Sequence, residues 1–184
     1  MTLTQKLTEP DEAELVAAAR RDPRQFGVLY LRYVQPLFRY LYSRSGSQAA
    51  AEDLTAQTFL AVLEGLGRYR HDGHFAAWLF SIARNKMADH FRREGSLAAL
   101  EDAERLPGES DLLQGAIQGE RKAALAGLLE ALPEDERDLL RLRFTAGLSF
   151  GEIGRLQGRS EDAVKKAVYR LLDRMQSQLE EPHA

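Results

Sequence analysis

The chain has no cysteine among its 184 residues. Disulfide frameworks and thiolate metal sites are therefore excluded, and the composition fits a reducing compartment. Long apolar runs are also missing, and none approaches the ~20 residues that span a bilayer. The segment Met1 to Pro10 lacks the apolar core of a signal peptide. No membrane insertion is expected, and the chain reads as cytoplasmic. Alternation with period two is scarce and β-branched residues are sparse, which argues against sheets. No HExxH pair, phosphate-binding glycine loop or nucleophile elbow occurs. With no catalytic residue, cofactor motif or small-molecule substrate site to point to, the chain does not read as an enzyme.

What is present is apolar enough for compact cores (44%) and charged enough (29%) for a well-solvated surface. The net charge of −3 is unevenly spread. Residues 1–67 carry seven basic and eight acidic side chains; residues 68–93 carry six and two; residues 94–120 carry one and seven; residues 121–184 carry eleven of each. A basic block thus precedes an acidic one, and local charge selects electrostatic partners better than the total does.

Apolar spacing predicts helices over 11–21, 24–44, 49–66 and 74–93, with Asp22–Pro23 ending the first. Pro36 should kink or locally break the second. The fourth has a clear stripe of Phe75, Trp78, Leu79, Ile82, Ala83, Met87 and Phe91. Periodicity then fails over 94–120, where glycines and Pro107 sit among acids, and this stretch reads as a flexible acidic linker. Helices follow over 121–132 and 134–145. Ser149 to Glu152 forms a capping box that opens 150–157. Gly158 closes that helix, and Ser160 caps the last one, 161–180. The expected fold is all-α: a helical domain over 1–93, the linker 94–120, and a second domain over 121–184 ending in a helix-turn-helix.

Two constellations carry function. The pair 150–157 and 161–180, joined by a short Gly-bearing turn, has the helix-turn-helix layout, with Gly154 at the close approach and Val164 facing back into it. Lys165, Lys166, Tyr169 and Arg170 lie on the outer face, as a major-groove helix requires. A plain αα-hairpin with a solvated basic face fits the same spacing. The second constellation runs from Arg68, Tyr69, Arg70, His71 and His74 to Trp78, Arg84, Asn85, Lys86, Arg92 and Arg93. Cations among aromatics suit unpaired nucleic acid, although Phe75, Trp78 and Phe91 at helical spacing also suit a core. His71, Asp72, His74 and His90 can be drawn as a metal site, but neighbouring cations oppose a metal ion, and none is expected.

Several stretches together resemble bacterial RNA polymerase sigma factors of the extracytoplasmic-function (ECF) group. Asp22-Pro23 to Phe26, Leu29-Tyr30, Tyr33 and Pro36-Leu37-Phe38 are similar to the opening of the region-two domain. Ala51-Glu52-Asp53-Leu54, Gln57 and Phe59 are similar to its polymerase-binding helix. Phe75, Trp78-Leu79, Ile82-Ala83-Arg84-Asn85 and Asp89 resemble its helix for the minus-ten promoter element. Leu132-Pro133, Glu136-Arg137, Leu142-Arg143-Phe144, Gly147 to Phe150, Glu152-Ile153 and Val164-Lys165 resemble the region-four domain, which reads the minus-thirty-five element. The chain departs from the family pattern at Gly154, Arg159, Asp162-Ala163 and Lys166-Ala167.

The resemblance implies a role for each part. Glu52, Asp53, Gln57, Phe59 and Leu60 would hold the coiled coil of the large subunit of core RNA polymerase. Arg70, His71, His74, Trp78, Arg84, Asn85, Lys86, Arg92 and Arg93 would hold melted minus-ten DNA around a flipped base, whose unstacking costs a few kcal/mol. Arg159, Ser160, Glu161, Lys165, Lys166, Tyr169 and Arg170 would face minus-thirty-five DNA. The acidic linker would thread a basic polymerase channel. Promoter DNA and core polymerase are the implied partners, with room for an anti-sigma protein. Two other classes stand beside this reading: a free-standing dimeric helix-turn-helix repressor, and a pure interaction protein using 161–180 as a partner helix.

Overall fold

A computed structural model describes residues 11–70, 73–98 and 116–180. Eight α-helices occur among them: α1 (Glu12–Arg21), α2 (Phe26–Ser45), α3 (Gln48–Gly65), α4 (Phe75–Ala98), α5 (Ala116–Ala131), α6 (Glu134–Leu140), α7 (Phe150–Gln157) and α8 (Glu161–Glu180). No strand occurs among the described residues, so the all-α expectation holds. Asp22 caps the single 3-10 turn Pro23–Gln25 that joins α1 to α2. Arg24 bonds to its carboxylate and lowers its pKa. A π turn, Arg141–Thr145, continues α6.

Three boundaries differ from the sequence expectation. Helix α2 runs through Pro36 without a break. Proline removes one backbone donor, but Leu29, Leu37, Tyr40 and Leu41 on both sides of it are fully buried and hold the segments in register. Helix α4 continues past Gly95 to Ala98, and α5 begins at Ala116. The linker 94–120 is therefore helical at both ends. One interior glycine costs only about 1 kcal/mol, which the propensity of the following Leu97 and Ala98 can offset. Residues 99–115 of that linker lie outside the described residues.

In the first unit α2, α3 and α4 pack together, with α1 against α2. Phe75, Leu79, Phe80, Ala83 and Met87 give α4 its inner face, all fully buried. Burying a large apolar side chain is worth about 1.5–3 kcal/mol, so this stripe is a main fastening of the helix. Tyr40 of α2 meets Phe80 edge-on at 5.4 Å. In the second unit α7 packs on α8, with α5 and α6 along α8.

The two units also touch. Helix α2 lies against the π turn and α4 against α7. Leu142, Ile153 and Val164 of the second unit join the same buried cluster as Leu37, Leu79 and Met87 of the first.

Candidate nucleic-acid interface

The first surface grows from the head of α4, which side chains of α1 and α2 fix in place. Glu12 of α1 accepts from the Phe75 backbone amide at 2.9 Å and from the Tyr33 hydroxyl of α2. Burial, then the bond to Glu12, raises the pKa of Tyr33. Arg20 donates to the Gly67 carbonyl at 3.1 Å and pins the exit from α3. Tyr69 then stacks on Trp78 with centroids 4.6 Å apart, and Phe75 meets Tyr69 edge-on at 5.8 Å.

Arg68, Tyr69, Arg70, His74, Ala77, Trp78 and Ser81 line a recess of about 370 Å³. Phe75 is fully buried beneath it, whereas Trp78 is only partly buried. Of the two readings left open for this aromatic stripe, Phe75 is core and Trp78 is wall. Trp78, Asn85 and Arg92 are seven residues apart in turn, two helical turns each, so they form one stripe down α4. Asn85 and Arg92 are exposed and Lys86 is partly so. Arg92 pairs with Asp89, and Arg93 donates to the Asp89 carbonyl at 3.3 Å. Arg84 points elsewhere, with its Nε 3.5 Å from Asp138 of α6. His71 lies outside the described residues. No group of three or more His, Asp or Glu among the described residues is placed to hold a metal ion.

The second surface is the α7–α8 pair. Ser149 accepts from the Glu152 amide at 3.2 Å, and Glu152 accepts from the Ser149 amide at 2.6 Å, which completes the capping box. Gly158 adopts φ +66° to end α7. A Cβ on Gly154 would lie 2.6 Å from the Arg159 carbonyl oxygen, so the absence of a side chain there lets the turn close against α7. Ser160 accepts from the Ala163 amide at 3.2 Å and starts α8.

Val164, Val168, Leu171 and Met175 face inward. Lys165, Lys166, Tyr169 and Arg170 face solvent together with Arg159, Ser160 and Glu161. A shallow hollow on this face includes Asp162 and Asp173 beside the cations. Arg159 lies on the surface, donating to Gln157 and to the Ala163 carbonyl at 3.2 Å each.

A third surface is the outer face of α3. Glu52 and Asp53 are exposed, held by Gln48 at 2.9 Å and Gln57 at 2.7 Å. Leu60 is 58% exposed. Phe59 must be removed from this face: it is 5% exposed and packs on Tyr30 at 4.7 Å and Phe26 at 6.2 Å. Leu63 replaces it as an outward apolar residue, with Val28 and Leu31 of α2 also exposed. The period of α3 shows these leucines but not which side of the stripe α2 covers.

Each unit matches a known family. Residues 29–97 match the family described as Sigma-70 region 2, and residues 122–175 match Sigma-70, region 4. The ECF RNA polymerase sigma factor BldN of Streptomyces coelicolor is 36% identical over 85% of this chain, which spans 61% of that relative's length. The ECF RNA polymerase sigma factor SigD of Mycobacterium tuberculosis is 33% identical over 97% of this chain and 87% of its own length. The solved structure of CnrH in complex with the cytosolic domain of CnrY aligns with TM-score 0.66 at 25% identity, covering 94% of this chain and 99% of CnrH.

Proposed function

This chain belongs to the ECF group of RNA polymerase sigma factors, a family that binds RNA polymerase for promoter-specific initiation, and we propose that it reads minus-ten and minus-thirty-five elements and promotes melting between them. The observation that carries the reading is the pair of cation-bearing helical faces, α4 and α8, on separate units of one chain. A strand laid along α4 would meet Trp78, Asn85 and Arg92 in turn, a stacking platform followed by polar and cationic side chains. Duplex DNA would meet α8 at Lys165 and Lys166, with Tyr169 and Arg170 one turn later. Core polymerase would dock on Glu52, Asp53 and Leu60 of α3. An anti-sigma protein is a further proposed partner, and the proposed compartment is the cytoplasm. No helix among the described residues is long and apolar enough to cross a membrane.

Run-off transcription tests the whole reading. Core polymerase together with this chain should start transcripts on the DNA upstream of its own gene, where neither does alone. Promoter binding by a dimer of the chain without polymerase would favour the repressor class instead. No effect on DNA even with polymerase would favour the interaction class.

Two substitutions separate the steps. Asp53→Lys reverses an exposed charge on α3 and should weaken polymerase binding about tenfold, which is ~1.4 kcal/mol of affinity, with helicity intact by circular dichroism. Unchanged affinity in a fluorescence titration would remove Asp53 from the interface. Asn85→Ala should slow promoter opening about tenfold, or ~1.4 kcal/mol of barrier, while closed-complex binding stays near the parent value. Permanganate footprinting over time reads this difference, and normal opening kinetics would take Asn85 out of the minus-ten set.

A further inference from the structure

The start of α8 carries an acid that the promoter reading leaves unused. Asp162 lines the hollow of about 400 Å³ on the outer face of α8, with Lys165, Lys166, Tyr169, Arg170 and Asp173. These positions recur every three or four residues and form one stripe along the helix. Its order is acid, cations, acid. Phosphates repel a carboxylate, so an acid on a DNA-facing stripe costs affinity unless a group there donates to it.

The turn residues before Asp162 are engaged within the protein. Arg159 donates to the Ala163 carbonyl at 3.2 Å, and Ser160 accepts from the Ala163 amide at 3.2 Å. The Glu161 carboxylate turns back over the first turn of α7, where a Cβ on Gly151 would lie 3.3 Å from its Oε2. The positive end of α7 favours an anion there. Asp162 differs. It is exposed, and among the described residues no hydrogen bond or ion pair engages its carboxylate. Lys166 stands one turn on, along the same stripe, without pairing with it. The chain also departs from the family pattern at this position, so the family assigns Asp162 no contact.

We propose that Asp162 is a specificity residue that selects cytosine at one position of the minus-thirty-five element. The proposal rests on the minus-thirty-five reading given above and adds a base to it. A carboxylate only accepts hydrogen bonds. In the major groove cytosine offers its N4 amino group, adenine offers N6 beside its own N7 acceptor, and guanine and thymine offer acceptors. The N7 of adenine repels the second carboxylate oxygen, and cytosine has no such neighbour on its own ring. Cytosine is therefore accepted, while guanine and thymine are rejected. The place on the helix agrees. Asp162 is the second residue of α8, at the end from which a recognition helix reaches base edges. Asp173 lies eleven residues on, about 16.5 Å along the axis. There it meets only the field of the phosphates and lowers affinity for every sequence.

The test uses core polymerase together with the full chain. The DNA is the region upstream of the chain's own gene, with the minus-thirty-five segment randomised. Bound DNA is separated and sequenced, and affinities are measured by titration.

The parent should enrich cytosine about tenfold at one position, which is ~1.4 kcal/mol of discrimination. Asp162→Asn should move that position to adenine, because a carboxamide accepts from N6 and donates to N7. Asp162→Ala should abolish the preference there and leave the other positions as in the parent. Asp173→Asn removes the same charge from the far end, and should raise affinity for all sequences without changing any preference. Circular dichroism should be parental for each, since both side chains are exposed. If Asp162→Asn and Asp162→Ala both keep the parental preference at every position, Asp162 acts by charge alone and the proposal is overturned. A parent that enriches other bases but no cytosine overturns it as well. A parent that binds this DNA without enriching any sequence would instead remove the minus-thirty-five reading itself.

Discussion

Phe75→Ala should lower the stability of the chain by about 3–5 kcal/mol, the usual cost of deleting a buried aromatic ring. Phe75 is fully buried and touches Tyr33, Tyr69 and Trp78 at centroid distances of 5.5, 5.8 and 5.8 Å. Its removal leaves a void beneath the Tyr69–Trp78 stack, and its rigid neighbours can fill that void only in part. Against a typical domain stability of about 5–15 kcal/mol, a loss of this size unfolds a marginal unit outright. Trp78 is the only tryptophan, so its fluorescence during urea titration reports this wall directly. The midpoint should fall sharply for Phe75→Ala. Trp78→Ala, followed by circular dichroism, should fall less, because the indole is partly exposed. An unchanged midpoint for Phe75→Ala would mean that the ring is no part of the core.

Lys166→Ala should change which minus-thirty-five sequence is preferred, whereas Arg170→Ala should weaken all sequences alike. Lys165 and Lys166 lie nearest the start of α8, where a recognition helix reaches base edges. Arg170 lies one turn on from Lys166, at i+4 on the same face, nearer the flank where phosphates run. Removing a side chain from a base edge costs about 1–3 kcal/mol at one position, whereas removing one from a phosphate lowers affinity uniformly and reduces the salt slope by about one. Selection from a randomised minus-thirty-five library, repeated at two salt concentrations, separates the two. If Lys166→Ala keeps the parental preference at every position, Lys166 meets a phosphate or only water.

The α7–α8 pair was legible because its determinants are local. Ser149, Glu152, Gly158 and Ser160 act on backbone groups within four residues of themselves, so the capping box, the turn and the start of α8 follow from spacing alone. The α4 stripe was legible for the same reason. The break expected at Pro36 does not occur: the cost of a missing donor is local, while the packing of Leu29, Leu37 and Leu41 that outweighs it is not. Phe59 was placed on the α3 face by resemblance, which carries a residue's place in a motif but not the cover that Phe26 and Tyr30 give it. Asp138 was invisible for a stronger reason. Glu134, Asp135 and Glu136 read as ordinary acids at a helix start, favoured there by the helix dipole, and nothing in that run distinguishes the fourth acid. Its partners Tyr40 and Arg44 lie nearly a hundred positions earlier, with the acidic stretch between them.

That separation has a consequence for the order of events during synthesis. Glu12, which seats the head of α4, bridges 63 positions, and every group it needs has been synthesised once α4 is made. The bond from Tyr40 to Asp138 spans 98 positions and must wait for α6. Chains fold from the amino end as they are made, and contacts distant in sequence form late. The aromatic wall around Trp78 is therefore completed first, and each new molecule passes through a period in which its first unit stands finished before its own second half packs against it.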